Sequence, residues 1–170
     1  IGGALPMDPD WDLAALPMFL QDPFWTHVKS NPDAVALVDH GGTTEVNRAF
    51  KLTYREAGVA VNRVSKSILL NLKSTKGDNV IVAIIMHKGW EQVISALAIL
   101  SCHATYIPID ANWPAKRARQ ILEASGAAAV VTTQALMTGS NNDELPQAIP
   151  NGVPVVLFEP AVSEATLAKD

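Results

Sequence analysis

The chain has 170 residues, 48% of them hydrophobic and 18% charged, with a formal net charge of -4. That is one domain's worth of sequence, apolar enough to bury a core and unlike a disordered segment. The mild acidity, with no Lys/Arg cluster, gives no electrostatic footprint for nucleic acid or an anionic membrane surface.

Residues 1–23 are rich in Pro, Asp and large apolar side chains, among them Leu5, Pro6, Met7, Trp11, Leu13 and Leu16. The prolines break any helical or strand period, so this stretch reads as an interdomain linker resting its apolar groups on this domain or a neighbour. The chain starts at Ile1, not Met, which points to a piece of a longer polypeptide. No basic segment leads into an apolar one, so no secretory signal is expected. The folded domain is expected over residues 24–170.

Phe24 to Ser30 suits a short helix and Ala34 to Val38 a buried strand. Gly41-Gly42 marks a turn, and Val46 to Leu52 a returning strand, giving a hairpin. Thr53 and Glu56 stand at capping-box spacing. Ala57, Val61, Val64, Ile68 and Leu72 then recur at steps of four and three, predicting a helix with one apolar face and Lys73 at its negative end. Gly77-Asp78 is the next turn.

Val80 to Ile85 is a β-branched run without alternation, as in a strand covered on both faces. With Met86 it is the longest solid apolar stretch, far short of the roughly 20 residues that span a bilayer. Trp90 to Cys102 predicts a second helix with Val93, Leu97 and Leu100 on one face. Thr105 to Ile109 is a strand that Pro108 should end or confine to an edge. Pro114 suits the first turn of a third helix, with Asn112 as cap, and Gly126 suits its end. Ala127 to Thr132 is a further strand, residues 139–152 are turn-rich, and Val153 to Phe158 is a last strand. The alternation predicts an α/β fold with a mainly parallel sheet flanked by helices.

Strong catalytic motifs are absent: no G-x-G-x-x-G, no G-x-x-x-x-G-K-[ST], no zinc-spaced Cys/His set and no G-x-S-x-G. The one cysteine, Cys102, rules out an internal disulfide and fits a reducing, cytoplasmic setting. Asp110 follows a strand end, where open α/β sheets place ligands, yet a carboxylate there more often organises the following turn. His87 and Lys88 follow another strand end and could meet an anion, although a solvated turn and helix start is the commoner role. His103 closes the second helix, where a protonated imidazole suits the helix dipole. The four tryptophans read as core or interface anchors.

Leu52-Thr53-Tyr54-Arg55-Glu56-Ala57 resembles the first core motif of the amino-acid adenylation domains of nonribosomal peptide synthetases, usually Leu-Thr-Tyr-x-Glu-Leu. Leu100 to Asp110, LSCHATYIPID, resembles the second, usually LKAGxAYVPLD. GDNVIVAII and KGWEQV between them, Trp113-Pro114, Arg117 and Ile121-Leu122-Glu123 after them, and Asn31 to Leu37 before them fit the same family. The likeness covers about residues 24–135. Three positions depart from it: Ala57 stands for Leu, Ser101 for Lys and His103 for Gly, the last of consequence if the backbone needs positive φ.

The resemblance implies the N-terminal subdomain of an adenylate-forming enzyme. The complete domain would use ATP and magnesium to turn an amino acid into an aminoacyl adenylate and load it on a carrier-protein phosphopantetheine thiol. It also implies a condensation or heterocyclisation domain upstream, a carrier protein downstream and the rest of the adenylation domain as partners. The Ser/Thr/Gly-rich phosphate loop would follow the strand near residue 158, and it is missing before Asp170. No catalytic, cofactor-binding or metal-binding residue is therefore carried over, and the chain alone is expected to be inactive. The alternatives are a vestigial, non-catalytic scaffold within a synthetase, a fragment of an acyl-CoA or aryl-acid ligase, and an unrelated α/β binding module.

Overall fold

In the computed structural model, which describes residues 19–40, 50–72, 79–138 and 145–159, the chain opens with helix α1, Asp22–Ser30. The helix starts two residues before the expected Phe24. Asp22 and Pro23 form its first turn, an acid at the positive end and a ring with no amide to satisfy. Strands β1 (Val35–Asp39) and β2 (Phe50–Thr53) pair antiparallel as the expected hairpin, with a register irregularity between Val35 and Leu37. The predicted Gly41-Gly42 turn and the start of the returning strand lie outside the described residues.

Helix α2, Tyr54–Asn71, begins at the predicted capping box. The Thr53 hydroxyl accepts from the Glu56 amide at 3.2 Å, and the Glu56 carboxylate accepts from the Thr53 amide at 2.8 Å. Ala57, Val61, Val64 and Ile68 are buried, as their spacing predicted. Lys73 and Gly77-Asp78 lie outside the described residues. Gly58 sets the approach of α1, because a Cβ there would come within 3.1 Å of the Val28 side chain.

Strand β3 (Ile81–Met86), helix α3 (Trp90–Ser101), strand β4 (Thr105–Asp110), helix α4 (Ala115–Ser125) and strand β5 (Ala129–Thr132) follow in the expected alternation. Two short helices, α5 (Gln134–Thr138) and α6 (Leu145–Ala148), then precede strand β6 (Val155–Leu157). The helix α6 falls inside the stretch expected to be turn-rich. Leu145 and Ala148 are buried there, so a single helical turn is held by packing and not by propensity.

The four strands form one parallel sheet in the order β4-β3-β5-β6. Alternate residues of each strand enter separate cores. Val82, Ile84, Met86, Ala129, Val131 and Val156 face α2 and α3. Ala83, Ile85, Ile109 and Val130 face α4, α5 and α6. Burying an aliphatic side chain of this size is worth about 1.5–3 kcal/mol, so the central strand β3 anchors both layers.

Pro108 lies on the sheet's edge, as predicted, and the strand continues past it to Asp110. Thr105 donates its amide to the carbonyl of Val80, the residue before β3, and Ala111 to that of Met86 at its end. Backbone groups alternate sides along a strand, so Pro108, an odd number of residues from each, turns its donor-less nitrogen to the open side.

The buried face of α3 differs from the expected one. Trp90, Glu91, Ile94, Ser95, Ala98 and Ile99 are buried, while Val93 is 48% exposed and Leu97 and Leu100 are half-buried. Apolar residues surround this helix, so their period does not choose a face. The sheet selects the stripe with the smaller side chains Ser95 and Ala98, which lets the helix sit close.

Candidate functional site

In a parallel sheet, ligand sites form at the carboxyl ends of the strands, where neighbouring strands send their chains to opposite faces. That point lies here between β3 and β5. Strand β3 leaves through His87-Lys88-Gly89 into α3 on one face, and β5 leaves through Thr133 into α5 on the other.

A cross-strand bond joins the two strands at this point. The Thr132 hydroxyl, fully buried, donates to the Ile85 carbonyl at 2.8 Å. The Thr133 hydroxyl accepts from the Leu136 amide at 3.4 Å and serves the start of α5. Neither threonine is marked in the sequence, since Thr-Thr at the end of a strand carries no motif. His87 and Lys88 are both exposed, and Gly89 precedes α3 in extended backbone without a side-chain cap. This is a solvated turn leading into a helix.

Asp110 lies at the neighbouring strand end, and its carboxylate is engaged locally. Oδ1 accepts from the backbone amide and the side-chain amide of Asn112, each at 2.9 Å. Asp110 thus organises the turn before α4, the commoner of the two roles weighed for it. Asn112 does not cap the helix as expected. The capping position belongs to Pro114, with the helix starting at Ala115, and Asn112 stands too early to reach the free amides. Arg117 of the first turn instead places its guanidinium 4.0 Å from the centre of the Trp113 ring, a cation–π contact.

His103 is far from these groups. It precedes the amino end of β4, whereas Asp110 closes the carboxyl end, a strand length of about 20 Å away. Its φ is +55°. Its amide donates to the Leu100 carbonyl at 3.0 Å and the next amide, of Ala104, to Ile99 at 3.2 Å. This is the Schellman ending, with histidine where glycine is usual. Helix α4 ends the same way: Gly126 has φ +63° and donates to Glu123, and Ala127 donates to Leu122. The His103 ring packs edge-on against Phe19. His103 therefore stands apart, whereas His87-Lys88 and Asp110 lie at adjacent strand ends, Met86 pairing with Asp110.

The described tryptophans anchor packing. Trp25 donates its ring N–H to the Ser101 hydroxyl at 3.1 Å, tying α1 to the end of α3. Trp90 is buried in the core beside Phe158, edge-on at 5.4 Å. Trp11 lies outside the described residues. Burial pushes the Cys102 thiol above its ordinary pKa, partly offset by the Ser65 side chain, and the thiol donates to the Ser65 carbonyl at 3.5 Å.

A concavity of about 220 Å³ opens between α1, β1, α2 and α3, lined by Phe24, His27, Leu37, Tyr54, Val93 and Leu97. Val93 and Leu97, displaced from the sheet-facing side of α3, form one wall. Tyr54 stacks on His27 at 5.0 Å on the other.

These residues do not fit a magnesium nucleotide. Asp110 is occupied in its own turn, and among the described residues no three His, Cys, Asp or Glu side chains approach closely enough to hold a metal ion. No helix among the described residues is long and apolar enough to cross a membrane.

A family model described as "AMP-binding enzyme" matches residues 24–170. The chain is 37% identical over 109 residues to malpibaldin synthetase of Mortierella alpina, covering 64% of this chain and 2% of that protein. A structure of the nonribosomal peptide synthetase FmoA3 in an AMPPNP-bound form superposes with a TM-score of 0.66 at 28% identity, over 88% of this chain and 14% of that one. The N-terminal subdomain of NpsA from Klebsiella oxytoca shares the fold, with a TM-score of 0.60 at 23% identity, over 82% of this chain and 31% of that one. The chain thus spans a small fraction of the proteins it matches.

Proposed function

The chain belongs to the AMP-binding enzyme family, and on that footing we propose that it is the opening part of a nonribosomal peptide synthetase adenylation domain that activates an amino acid with ATP and magnesium. The complete domain then passes the acyl group to a carrier-protein thiol. The adenylate converts an unreactive carboxylate into a mixed anhydride with a good leaving group, which a thiol can displace.

The observation that supports this reading best is the family match over residues 24–170, in which the two motif-like stretches take structural places. Thr53 and Glu56 form the capping box of α2, and Leu100 to Asp110 forms the end of α3 and the edge strand β4. Both are scaffold elements. Asp110 is committed to the turn before α4 and Thr133 to the start of α5, which supports reading the chain as a platform on which a site is built, inactive in adenylation alone. The residues ahead of α1 are its link to an upstream condensation or heterocyclisation domain, and the carrier protein lies downstream.

One observation favours a second reading, a non-catalytic scaffold: the position resembling the family's glycine is His103, in a left-handed conformation that suits glycine. The intact hydrogen bonds of the helix ending show how the substitution is accommodated.

Calorimetric titration of the chain with MgATP, beside amino-acid-dependent pyrophosphate exchange by the full-length parent domain, tests the proposal. Silence from the chain and exchange by the parent are expected. Saturable MgATP binding by the chain would overturn the platform reading, and a parent without exchange would leave the scaffold reading.

A further inference from the structure

Helix α1 is held to the domain with little burial. Of residues 19–30 only Gln21 is buried, and none of the nine helical residues is. The concavity of about 220 Å³ lies under the helix, with Phe24 and His27 on its rim side and Leu37, Ile94 and Leu97 opposite. Such a gap forfeits the dispersion contacts that would otherwise fix the helix there.

What remains is a short set of contacts. After the helix the chain is fixed by backbone: the Arg55 amide donates to the Pro32 carbonyl at 2.8 Å and the Tyr54 amide to that of Ala34 at 2.9 Å. Along its length, Val28 rests on α2 at Gly58, and the rings of Phe24 and His27 lie against Tyr54. At the front, two side-chain contacts reach the end of α3. The Trp25 indole donates to the Ser101 hydroxyl at 3.1 Å, and the Phe19 ring meets His103 edge-on. Ser101 and His103 are two of the three positions that depart from the family's motif, and both departures make these contacts possible. A lysine has only donors and could not accept from the indole, and a glycine offers Phe19 no ring.

We propose that α1 is a strap, hinged at Pro32 to Ala34 and latched at Ser101 and His103, which opens as a unit while the parallel sheet and its other helices stay folded. Segments with few buried apolar contacts open at a fraction of the global free energy. A helix of nine residues has little stability of its own, so α1 melts when it detaches and its amides then exchange. Opening bares the apolar wall that Leu37, Val93 and Leu97 form. The inference goes beyond the adenylation reading and holds whether or not the parent domain is catalytic.

The test is amide hydrogen exchange of the full-length parent protein, read by mass spectrometry in peptides covering α1, α2 and β3. Helix α1 should exchange about 100-fold faster than β3. Ser101→Ala removes the acceptor of the indole, and His103→Gly removes the ring while relieving the backbone. Each should speed the exchange of α1 about 5-fold without speeding that of α2 or β3. Exchange of α1 at the rate of β3 would overturn the proposal, because the helix would then open only with the whole fold. So would an α1 rate that neither substitution changes, or one that rises in step with that of β3.

Discussion

The ring of His103 meets that of Phe19 edge-on, centroids 5.3 Å apart and planes inclined at 69°. The residue that reverses the chain after α3 is thus also the one on which the segment leading into α1 rests. A side chain at positive φ costs roughly 1–2 kcal/mol, and an aromatic pair returns about 0.5–1.5 kcal/mol.

Substitution separates these two terms. His103→Ala and His103→Gly both lose the ring contact, and only the glycine relieves the backbone. The glycine variant should be more stable than the alanine variant by about 1 kcal/mol in urea unfolding. Gly126→Ala is the converse. Nothing lies within 4 Å of its added Cβ, so a cost of about 1 kcal/mol would be purely conformational.

Thr53→Ala should cost about 1 kcal/mol through loss of the α2 cap, and Thr53→Ser distinctly less. The shift should appear in the urea midpoint without a change in slope.

Trp25 and Ser101 join α1 to α3 across 76 residues of sequence. A double-mutant cycle with Trp25→Phe and Ser101→Ala should give a coupling of about 0.5–1.5 kcal/mol. A coupling of zero would mean that α1 is held by apolar contacts alone.

Asp110→Ala should destabilise the chain by about 1 kcal/mol by leaving the two Asn112 donors without their acceptor, with Asp110→Asn milder. In the parent domain, Asp110→Asn should leave pyrophosphate exchange unchanged. Lost exchange in a fully folded variant would return Asp110 to the chemistry.

Cys102 sets a pH dependence. Burial holds its folded pKa above the ordinary thiol value, so the folded state binds the proton more tightly than the unfolded state. Its contribution is fully present at neutral pH and is lost as pH rises from the unfolded pKa through the folded one. The stability difference between the native chain and Cys102→Ala should therefore move against the native chain on going from neutral to alkaline pH, measured by urea unfolding.

Features set within a few residues were legible in the sequence. The Thr53–Glu56 cap, the Ala57 to Ile68 stripe, the glycine ending of α4 and the edge position of Pro108 each follow from local sterics or hydrogen bonding. The buried face of α3 was not, because apolar side chains surround that helix and only the sheet chooses among them. Helices α5 and α6 are too short to show a period. Asn112 does not cap α4 because the helix starts at Ala115, one turn-forming proline later than its spacing suggested. The candidate site was legible mainly as a location. Asp110 and His87-Lys88 stand at strand ends as expected, but what they touch depends on turns that no pattern specifies.

The pairing pattern of β3 has a kinetic consequence. It meets β4 across a single helix, but meets β5 across roughly twice that length of chain. Each doubling of a closed loop adds only about 0.6 kcal/mol of entropy, yet a folding rate is set by which contacts are reached first. The β3-α3-β4 unit should be the nucleus, with substitutions there slowing folding, whereas those in β5 and β6 mainly speed unfolding. During synthesis that nucleus leaves the ribosome before the strands that enlarge it.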